Sequence, residues 1–327
     1  MILVVGGTGS LGSRLVRRLR QRNLAVRVLT RAPARAAHLA ACGAEVVVGD
    51  LRDVASLHRA AAGAETIVAA AHGFSAPDAN SGHTVDRVGN RQLVDAAAAV
   101  GAAVVLVSVV GASPRSPLDL FRAKYDAEEY AWRSGVPTTV VRATAFIETW
   151  MGILGEPLRE GGRGLVFGRG QNPINFVSAE AVAALVEHAV IDPSLRGQTV
   201  EIGGPSNLTL TEFVALLSER AGHSGAPRRV PRSVLRAMSV LLRHVRPSFA
   251  RQARAAVVMD TTDMTFDASS LRQRFPELPD LDVRQVLASE SAYQPVGRSS
   301  ACTGGAVCPR FEDFAMQTDP PVLPRGA

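Results

Sequence analysis

The chain has 327 residues, and 46% of them are apolar, which is typical of a globular protein with a substantial core. Its apolar runs all fall short of the roughly 20 residues that a membrane-spanning helix needs, and its first residues lack the features of a signal peptide. We therefore expect a cytoplasmic protein without a membrane span. The net charge of +6 would suit a nucleic-acid-binding protein, but no nucleic-acid-binding motif accompanies it, and we expect no nucleic-acid partner.

The cysteines Cys42, Cys302 and Cys308 have neither the spacing of metal ligands nor that of a disulfide framework. They are either free thiols or, for the last two, a redox pair. We expect no metal site.

In chain order, the first part of the sequence alternates short apolar runs with helix-like segments. The apolar runs predict strands at 2–5, 25–30, 45–50, 66–71, 103–109 and 138–143. The segments between them predict helices at 11–22, 34–43, 53–62, 86–100 and 119–134. Continuously apolar strands that alternate with helices are typical of a parallel sheet covered on both faces. The fold class is therefore α/β, a doubly wound Rossmann parallel sheet.

From about residue 150 the pattern is looser. Short strands are predicted at 164–168, 174–178 and 198–204, with a helix at 179–190. A further helix begins after Thr209, because Thr209 and Glu212 have the spacing of a capping box.

A basic segment follows that helix. It contains no Asp or Glu, and its arginines are Arg228, Arg229, Arg232, Arg236, Arg243, Arg246, Arg251 and Arg254. Apolar residues interleave with them at helical spacing, which predicts an amphipathic helix. Its basic face is either a solvated surface or a site for an anionic substrate, a partner or an anionic membrane surface.

A glycine motif lies directly between the first predicted strand and the first predicted helix. The free N–H groups and the positive dipole end of a helix N-terminus bind a pyrophosphate, and glycine lets the backbone approach it closely. The strand–turn–helix context makes the motif more specific than the glycines alone. The sequence thus predicts a dinucleotide site that contains Gly6, Thr8, Gly9, Ser10, Leu11 and Gly12.

The end of the second strand bears on which dinucleotide binds. Sites that prefer NAD hold the ribose with an acidic residue there, whereas this chain has Arg31, with Arg35 one turn later. Because guanidinium groups bind phosphate in bidentate fashion, we expect NADP(H), with NAD(H) as the alternative if these arginines merely face solvent. Asp50, at the end of the third strand, either reaches the adenine amino group or caps the next helix, and Leu51 is expected beside the same cofactor.

The glycine pattern and several further stretches together resemble the short-chain dehydrogenase/reductase superfamily. Those stretches are VVVGDLRD, DRVGNRQLVDAA, VSVVGA, FRAKYDAEEY and TVVRATAFIETW. Within the superfamily they resemble its atypical, NmrA-like branch of NAD(P)H-binding proteins, over residues 1 to about 285 and most specifically over the first 180. The resemblance implies a Rossmann domain followed by a smaller substrate-binding part.

The resemblance also implies candidate catalytic residues. Typical members use a Ser, a Tyr and a Lys, with the Lys four residues after the Tyr. Lys124 matches the lysine and Ser108 lies near the serine position, but the tyrosine position is Leu120, which cannot donate a proton. Lys124 is the only lysine in an arginine-rich chain, and its amine exchanges protons more readily than guanidinium does. We therefore expect Lys124 to bind the cofactor ribose or to act in acid–base chemistry, with Ser108 as the second catalytic candidate.

Other candidates follow the fourth and sixth strands. Ala71 and His72 lie where the chain passes the cofactor, and His72 either contacts it or caps local structure. His83 faces either substrate or solvent. Thr144 is expected near the nicotinamide, and Trp150 either walls an apolar pocket, together with Phe146, or packs in the core.

These expectations divide the chain into three parts. Residues 1–150 form the NADP(H)-binding domain, with a strand and a helix returned from 165–205. Residues 151–290 form a smaller C-terminal α/β substrate-binding part, and 291–327 a loosely ordered tail, because they are rich in Pro, Gly and Ser.

The function indicated is an NADPH-dependent oxidoreductase that reduces a small apolar carbonyl, quinone or enone. The alternatives are a non-catalytic NADP(H)-binding redox sensor or assembly factor, and an isomerase or dehydratase on the same scaffold. The expected partner is a small-molecule substrate, and the sequence leaves the oligomeric state open.

Overall fold

A seven-stranded parallel sheet forms the centre of the computed structural model, which describes residues 1–73, 82–159, 162–223 and 225–289. The strand order is β3-β2-β1-β4-β5-β6-β10. These strands are β1 (Ile2–Val5), β2 (Val26–Thr30), β3 (Glu45–Val48), β4 (Thr66–Ala69), β5 (Ala103–Val109), β6 (Thr138–Ala143) and β10 (Thr199–Ile202). The predicted doubly wound Rossmann sheet is thus confirmed. Its seventh strand, β10, comes from the second half of the chain and pairs with β6 at the edge of the sheet.

Helices cover both faces of this sheet. Helices α1 and α7 lie on one face and α3, α4 and α5 on the other. In chain order, the α-helices of the described residues are α1 (Ser10–Gln21), α2 (Ala37–Ala41), α3 (Val54–Ala61), α4 (Asn90–Val100), α5 (Asp119–Arg133), α6 (Ile147–Arg159), α7 (Ala179–Ile191), α8 (Leu210–Arg220), α9 (Arg232–Leu241), α10 (Pro247–Met259), α11 (Ser269–Arg274) and α12 (Val283–Ser289). None of the helices within the described ranges combines the length and apolarity that crossing a bilayer requires.

Side-chain alternation along the strands separates two cores. On β5, Val105 and Val107 face the core under α1 and α7, whereas Val104 and Leu106 face the core under α3, α4 and α5. Because both faces are covered, each strand is apolar along its whole length rather than at every second position.

A third core holds the C-terminal part. Short strands β7 (Ala145–Phe146), β9 (Pro173–Val177) and β11 (Asn207–Thr209) form one small sheet, and β8 (Leu165–Phe167) pairs with β12 (Arg228–Val230). Phe176 packs against Phe213 of α8, with ring centroids 4.6 Å apart. The capping box of Thr209 and Glu212 is confirmed at the start of α8.

Several predicted elements differ from those observed. The helix expected at 34–43 is a 3₁₀ turn, Pro33–Ala36, followed by the short α2. The helix expected at 86–100 begins as a π-helical segment, Gly82–Gly89, that continues into α4. The basic segment forms two helices rather than one, because Pro247 starts α10 at a position that suits the first turn of a helix.

Two cysteines and the tail lie outside the described residues. Cys42 is an exposed free thiol, whereas Cys302, Cys308 and all of 291–327 fall in the undescribed part of the chain.

Buried charge holds α1 against α7. Glu187 of α7 is almost fully buried and accepts from Arg18 Nε at 2.6 Å and from the guanidinium of Arg22. Arg18 also pairs with Glu180 at 2.8 Å. The carboxylate of Glu187 is therefore satisfied by charge-assisted hydrogen bonds, as a buried charge must be.

We expect Glu187→Gln to lower the free energy of unfolding by about 1–2 kcal/mol, because charge-assisted bonds are lost while both arginines keep partial access to water. The matched control is Glu45→Gln, which removes a half-exposed partner of Arg27 and should cost less than about 1 kcal/mol. Urea denaturation measures both, and equal losses would contradict this account of Glu187.

Candidate functional site

The candidate site is a crevice at the carboxyl edge of the sheet. Strand β1 pairs with β2 on one side and with β4 on the other. The strand order therefore reverses at β1: the chain continues to one edge of the sheet through β2 and β3, and to the other edge from β4 onward. In open α/β sheets such a switch point is where ligands bind. The residues that follow these strands, including Gly6, Arg31 and His72, all come to this edge.

The glycine turn after β1 forms the floor of the crevice. Gly6 has a φ of +91°, and a Cβ there would lie 2.6 Å from the Ala71 nitrogen. A Cβ on Gly12 would lie 2.2 Å from the Gly6 carbonyl oxygen. Glycine is therefore required at both positions for the turn to fit between β4 and α1.

The N-terminus of α1 opens onto this turn. Gly9 occupies the N-cap position, no side chain caps the helix, and its first turn has no acidic residue. The N–H groups at this helix start are therefore available to an anion. Ser10 is exposed and its hydroxyl accepts from Arg14 at 2.7 Å, Thr8 is half-buried, and Leu11 is buried in the core. The turn fits the pyrophosphate of a dinucleotide.

The ends of β2 and β3 bring charges together. Arg31 and Arg35 are exposed at this edge. Asp50 forms an ion pair with Arg52, whose Nη2 lies 2.6 Å from Asp50 Oδ2. Arg52 holds the pKa of the Asp50 carboxyl below its usual range, and the charge of Arg31 contributes in the same direction.

The alternative role of Asp50 as a helix cap is wrong. The N-cap of α3 is Asp53, whose carboxylate accepts from the Ala55 amide at 3.0 Å. Asp50 contacts the first turn of α3 through its backbone, which bonds the Ser56 hydroxyl, while its carboxylate is bonded to Arg52. Leu51 is buried and packs in the core beneath α3 and α4.

Lys124 lies in a buried ionic cluster. Its Nζ donates to the Val107 carbonyl at 2.9 Å and lies 2.9 Å from Asp86 Oδ1. Asp86 is fully buried, and its other oxygen accepts from the Gly73 amide at 2.8 Å. An ammonium has three N–H donors, so one remains for a ligand after these two contacts. The cluster joins the ends of β4 and β5, the π-helical segment and α5.

Asp86 was not among the residues proposed from the sequence. It lies in the π-helical segment, and its carbonyl accepts from the Asn90 side chain at 2.8 Å. Two signals were available. A buried lysine needs a carboxylate partner, and Asp86 and Asn90 are four residues apart, which puts them on one helix face. Local π-helical turns are also frequent at functional sites.

His72 stands beside this cluster. His72 is an exposed residue, but many protein atoms surround its ring. That enclosure lowers the pKa of His72 below its ordinary value of 6.5, the positive charge of Lys124 acts in the same direction, and Asp86 opposes both. The imidazole is therefore neutral at pH 7.

Ser108 belongs to a different network. Its hydroxyl donates to Glu128, a buried residue one turn after Lys124 on α5. Glu128 also pairs with Arg142 at 2.6 Å, and Arg142 reaches Glu201 at 3.3 Å. The Ser108 proton is thus bound by a carboxylate, and the structure does not bring this hydroxyl into contact with the Lys124 ammonium.

The residues after β6 serve mainly to connect the two parts of the chain. Thr144 donates to Asn175 Oδ1 at 2.9 Å, and the same oxygen accepts from the Gly204 amide at 2.8 Å. Of the alternatives for Trp150, the structure shows core packing, since Trp150 is buried in the third core. Phe146 is partly buried against the core beneath α1 and α7.

A pocket of about 570 Å³ lies near the Lys124 cluster, and its lining includes Ala123, the residue before Lys124. One wall is the start of α5 and the loop before it, including Leu118, Leu120 and Phe121. Gly73 connects the pocket to the Lys124 cluster, and His83 lies at its edge. Part of the opposite wall is α10, with Arg251 and Arg254.

Comparison with known proteins decides the family. The family sequence model described as the NmrA-like family matches residues 1–265. The chain belongs to the NmrA-like family. The resemblance drawn from the residues is confirmed.

Relatives of this NmrA-like protein have different activities. It is 30% identical over 224 residues to the NAD(P)H azoreductase of Xenophilus azovorans, which covers 68% of this chain and 74% of that protein. It is 26% identical over 298 residues to the photosystem II assembly factor Ycf39 of Synechocystis, at 90% and 89% coverage. The solved structure of the Escherichia coli NADPH-dependent quinone oxidoreductase complexed with NADPH shares the fold, with a TM-score of 0.70, 21% identity, and 88% and 99% coverage.

We expect Gly12→Ala to lower the free energy of unfolding by about 1–3 kcal/mol, because its methyl group would overlap the Gly6 carbonyl and move backbone rather than a flexible side chain. The control is Gly152→Ala in α6, where a Cβ meets open space. The alanine should there be neutral or stabilising by up to about 1 kcal/mol. Chemical denaturation compares the two. If Gly12→Ala left the free energy of unfolding unchanged, the close approach of residue 12 to the Gly6 carbonyl would not be needed for the turn.

Proposed function

We propose that this NmrA-like protein is an NADPH-dependent reductase of small apolar carbonyls, quinones or enones. The observation that carries the proposal is the pocket of about 570 Å³ whose lining includes Gly73, the residue after His72 and the donor to Asp86. A substrate-sized space next to a dinucleotide crevice allows a bound molecule to meet the cofactor. The names of two relatives, an azoreductase and a quinone oxidoreductase, support a reductase.

The residues of the crevice fit the cofactor. The Gly6–Gly12 turn and the start of α1 would hold the pyrophosphate, because their backbone leaves room and N–H donors for it. Arg31 and Arg35 would pair with the 2′-phosphate that distinguishes NADPH from NADH. The remaining N–H of Lys124 would bind the ribose until an acceptor enters the pocket and takes its place on that N–H. When bound, the reduced nicotinamide supplies the hydride.

The pocket walls indicate the substrate class. Leu118, Leu120, Phe121 and Ala123 give an apolar surface next to the Lys124 cluster. Half of the residues that line the pocket are polar or charged, including Arg87, Asp126, Arg251 and Arg254. The pocket therefore suits an acceptor that has an apolar body and also polar groups. With α10 on the other side, residues 151–290 would contribute part of this wall, which supports their role as the substrate-binding part.

Lys124 would supply the proton that reduction of a carbonyl requires. Leu120 cannot do so, and the Ser108 hydroxyl is bound to Glu128. The Lys124 ammonium donates to the developing oxyanion and recovers its proton from water, while Asp86 and the Val107 carbonyl fix the position of Nζ. Asp86 is thus a positioning residue, and neutral His72 lines the route to solvent.

A second candidate is a non-catalytic NADP(H)-binding assembly factor or sensor. Two observations favour it. Leu120 occupies the tyrosine position, and the relative that covers 90% of this chain is named as an assembly factor. In this case the cofactor would change the affinity for a partner rather than react.

We expect NADPH oxidation, followed at 340 nm with a panel of quinones, enones and aldehydes, to show turnover with at least one acceptor. Lys124→Arg should lower kcat/KM by about 100-fold, since guanidinium neither exchanges protons at neutral pH nor fits the ammonium's contacts. The control on the same helix is Glu129→Gln, whose side chain pairs with Arg133 at the surface. Tight NADPH binding without turnover on any acceptor would contradict the reductase proposal and favour the non-catalytic sensor.

We expect wild-type protein to bind NADPH more tightly than NADH. Arg31→Ala should weaken NADPH binding by about tenfold or more, through loss of a charge-assisted phosphate contact, and leave NADH binding nearly unchanged. Fluorescence titration measures both. Arg59→Ala, at an exposed arginine of α3, is the control for net charge. Equal affinity of the wild type for the two cofactors would refute the role of Arg31.

A further inference from the structure

The connection between α9 and α10 presents large aliphatic side chains to solvent. Among the described residues, nine large hydrophobic side chains are exposed, and four of them lie between 234 and 245. Leu241 and Val245 are 74% and 78% exposed, the highest values of the group, and Val240 is 57% exposed. Single exposed aliphatics are ordinary, but a cluster of this kind marks an interaction surface. We call residues 240–246 the aliphatic turn.

The charge around the aliphatic turn is uniformly positive. Arg236, Arg243 and Arg246 are exposed beside it, and the chain carries no Asp or Glu from Arg228 to Arg254. The next acidic residue, Asp260, is buried and already paired with Arg232 at 3.1 Å. Over the described ranges, no carboxylate lies within ion-pair distance of the three exposed arginines.

The helix before the turn is fixed to the protein by its opposite face. On α9, Leu235 is buried and Met238 packs against a small core with Ala253 and Ala256 of α10. The two helices therefore form a hairpin, and the aliphatic turn that joins them is exposed. The exposed side chains are a stable feature of the folded hairpin rather than a missing part of the core.

We infer that the aliphatic turn docks this protein on the surface of an anionic lipid bilayer. Val240, Leu241 and Val245 would enter the boundary between headgroups and acyl chains, and the flanking arginines would bind lipid phosphates. Aliphatic side chains ringed by arginines are the pattern of proteins that lie on a membrane without crossing it.

Other occupants fit the surface less well. A second copy of the chain that packed on the same surface through a two-fold axis would bring arginine against arginine. A protein partner usually anchors through aromatic side chains seated in pockets, whereas the tip of this turn is aliphatic and protrudes.

The aliphatic turn lies close to the pocket along the chain, because α10 connects the two. Helix α10 begins at Pro247, directly after the turn, and within two turns carries Arg251 and Arg254 at the pocket. Docking would therefore bring the pocket close to the bilayer, where apolar quinones partition. This consequence rests on the proposed reductase function, but docking itself does not.

The test is co-sedimentation of the full chain with vesicles of phosphatidylcholine alone or mixed with phosphatidylglycerol. We expect at least about tenfold more bound protein on the anionic vesicles, and a loss of most of it at about 1 M salt, where charges are screened within about 3 Å. The double variant Leu241→Gln/Val245→Gln should lower binding about tenfold or more. The control, Val54→Gln/Val100→Gln, changes two exposed valines elsewhere and should bind as the wild type does.

Three results would overturn the inference. They are absence of binding to either vesicle, equal binding by the Leu241→Gln/Val245→Gln variant and the wild type, and self-association in light scattering that this variant abolishes. Because the substituted side chains are exposed, circular dichroism should show an unchanged fold. NADPH oxidation with a water-soluble quinone, measured without vesicles on the same variant, reports on the reductase function separately from docking.

Discussion

Lys124 and Asp86 form an ion pair that water scarcely reaches, and the geometry of the candidate site follows from how that pair is satisfied. Removing two charges from water costs several kcal/mol for each ion. The structure offsets this cost with the Val107 carbonyl on one side and the Gly73 amide on the other. Because these partners come from the ends of β5 and β4, the pair fixes the π-helical segment and α5 against the carboxyl edge of the sheet.

The same pair explains why a single lysine persists among arginines. A compact ammonium can contact a carbonyl and a carboxylate and still direct a third N–H into the crevice, whereas a planar guanidinium spreads its donors over a wider fork. Leu120, four residues earlier, adds apolar surface to the pocket where the superfamily has a tyrosine. The site thus keeps the lysine of the superfamily and lacks its tyrosine.

The α9–α10 hairpin connects the pocket with the exposed aliphatic turn. Its inner face packs on a small core, its arginines reach the pocket, and its tip is aliphatic and basic. A wall of the pocket and the aliphatic turn therefore belong to one helical hairpin. Substrate access and membrane contact would then be linked mechanically through α10.

Much of the fold and of the cofactor crevice was determined by local sequence. Gly6 and Gly9 lie between a strand and a helix that the apolar pattern predicts, and Gly12 lies in the first turn of that helix. Thr209 with Glu212 specifies the start of α8. These features depend on residues a few positions apart, so backbone geometry and hydrogen bonding within one segment decide them.

Only the tertiary structure decided which charged and polar side chains meet. The pairing of Lys124 with Asp86 and of Ser108 with Glu128 depends on how strands and helices are placed beside one another. The division of the basic segment into a hairpin with an exposed tip has the same origin. The spacing of apolar residues predicts that one face of a helix or strand is buried. It does not predict which other element covers that face, because burial is equally favourable against any apolar surface.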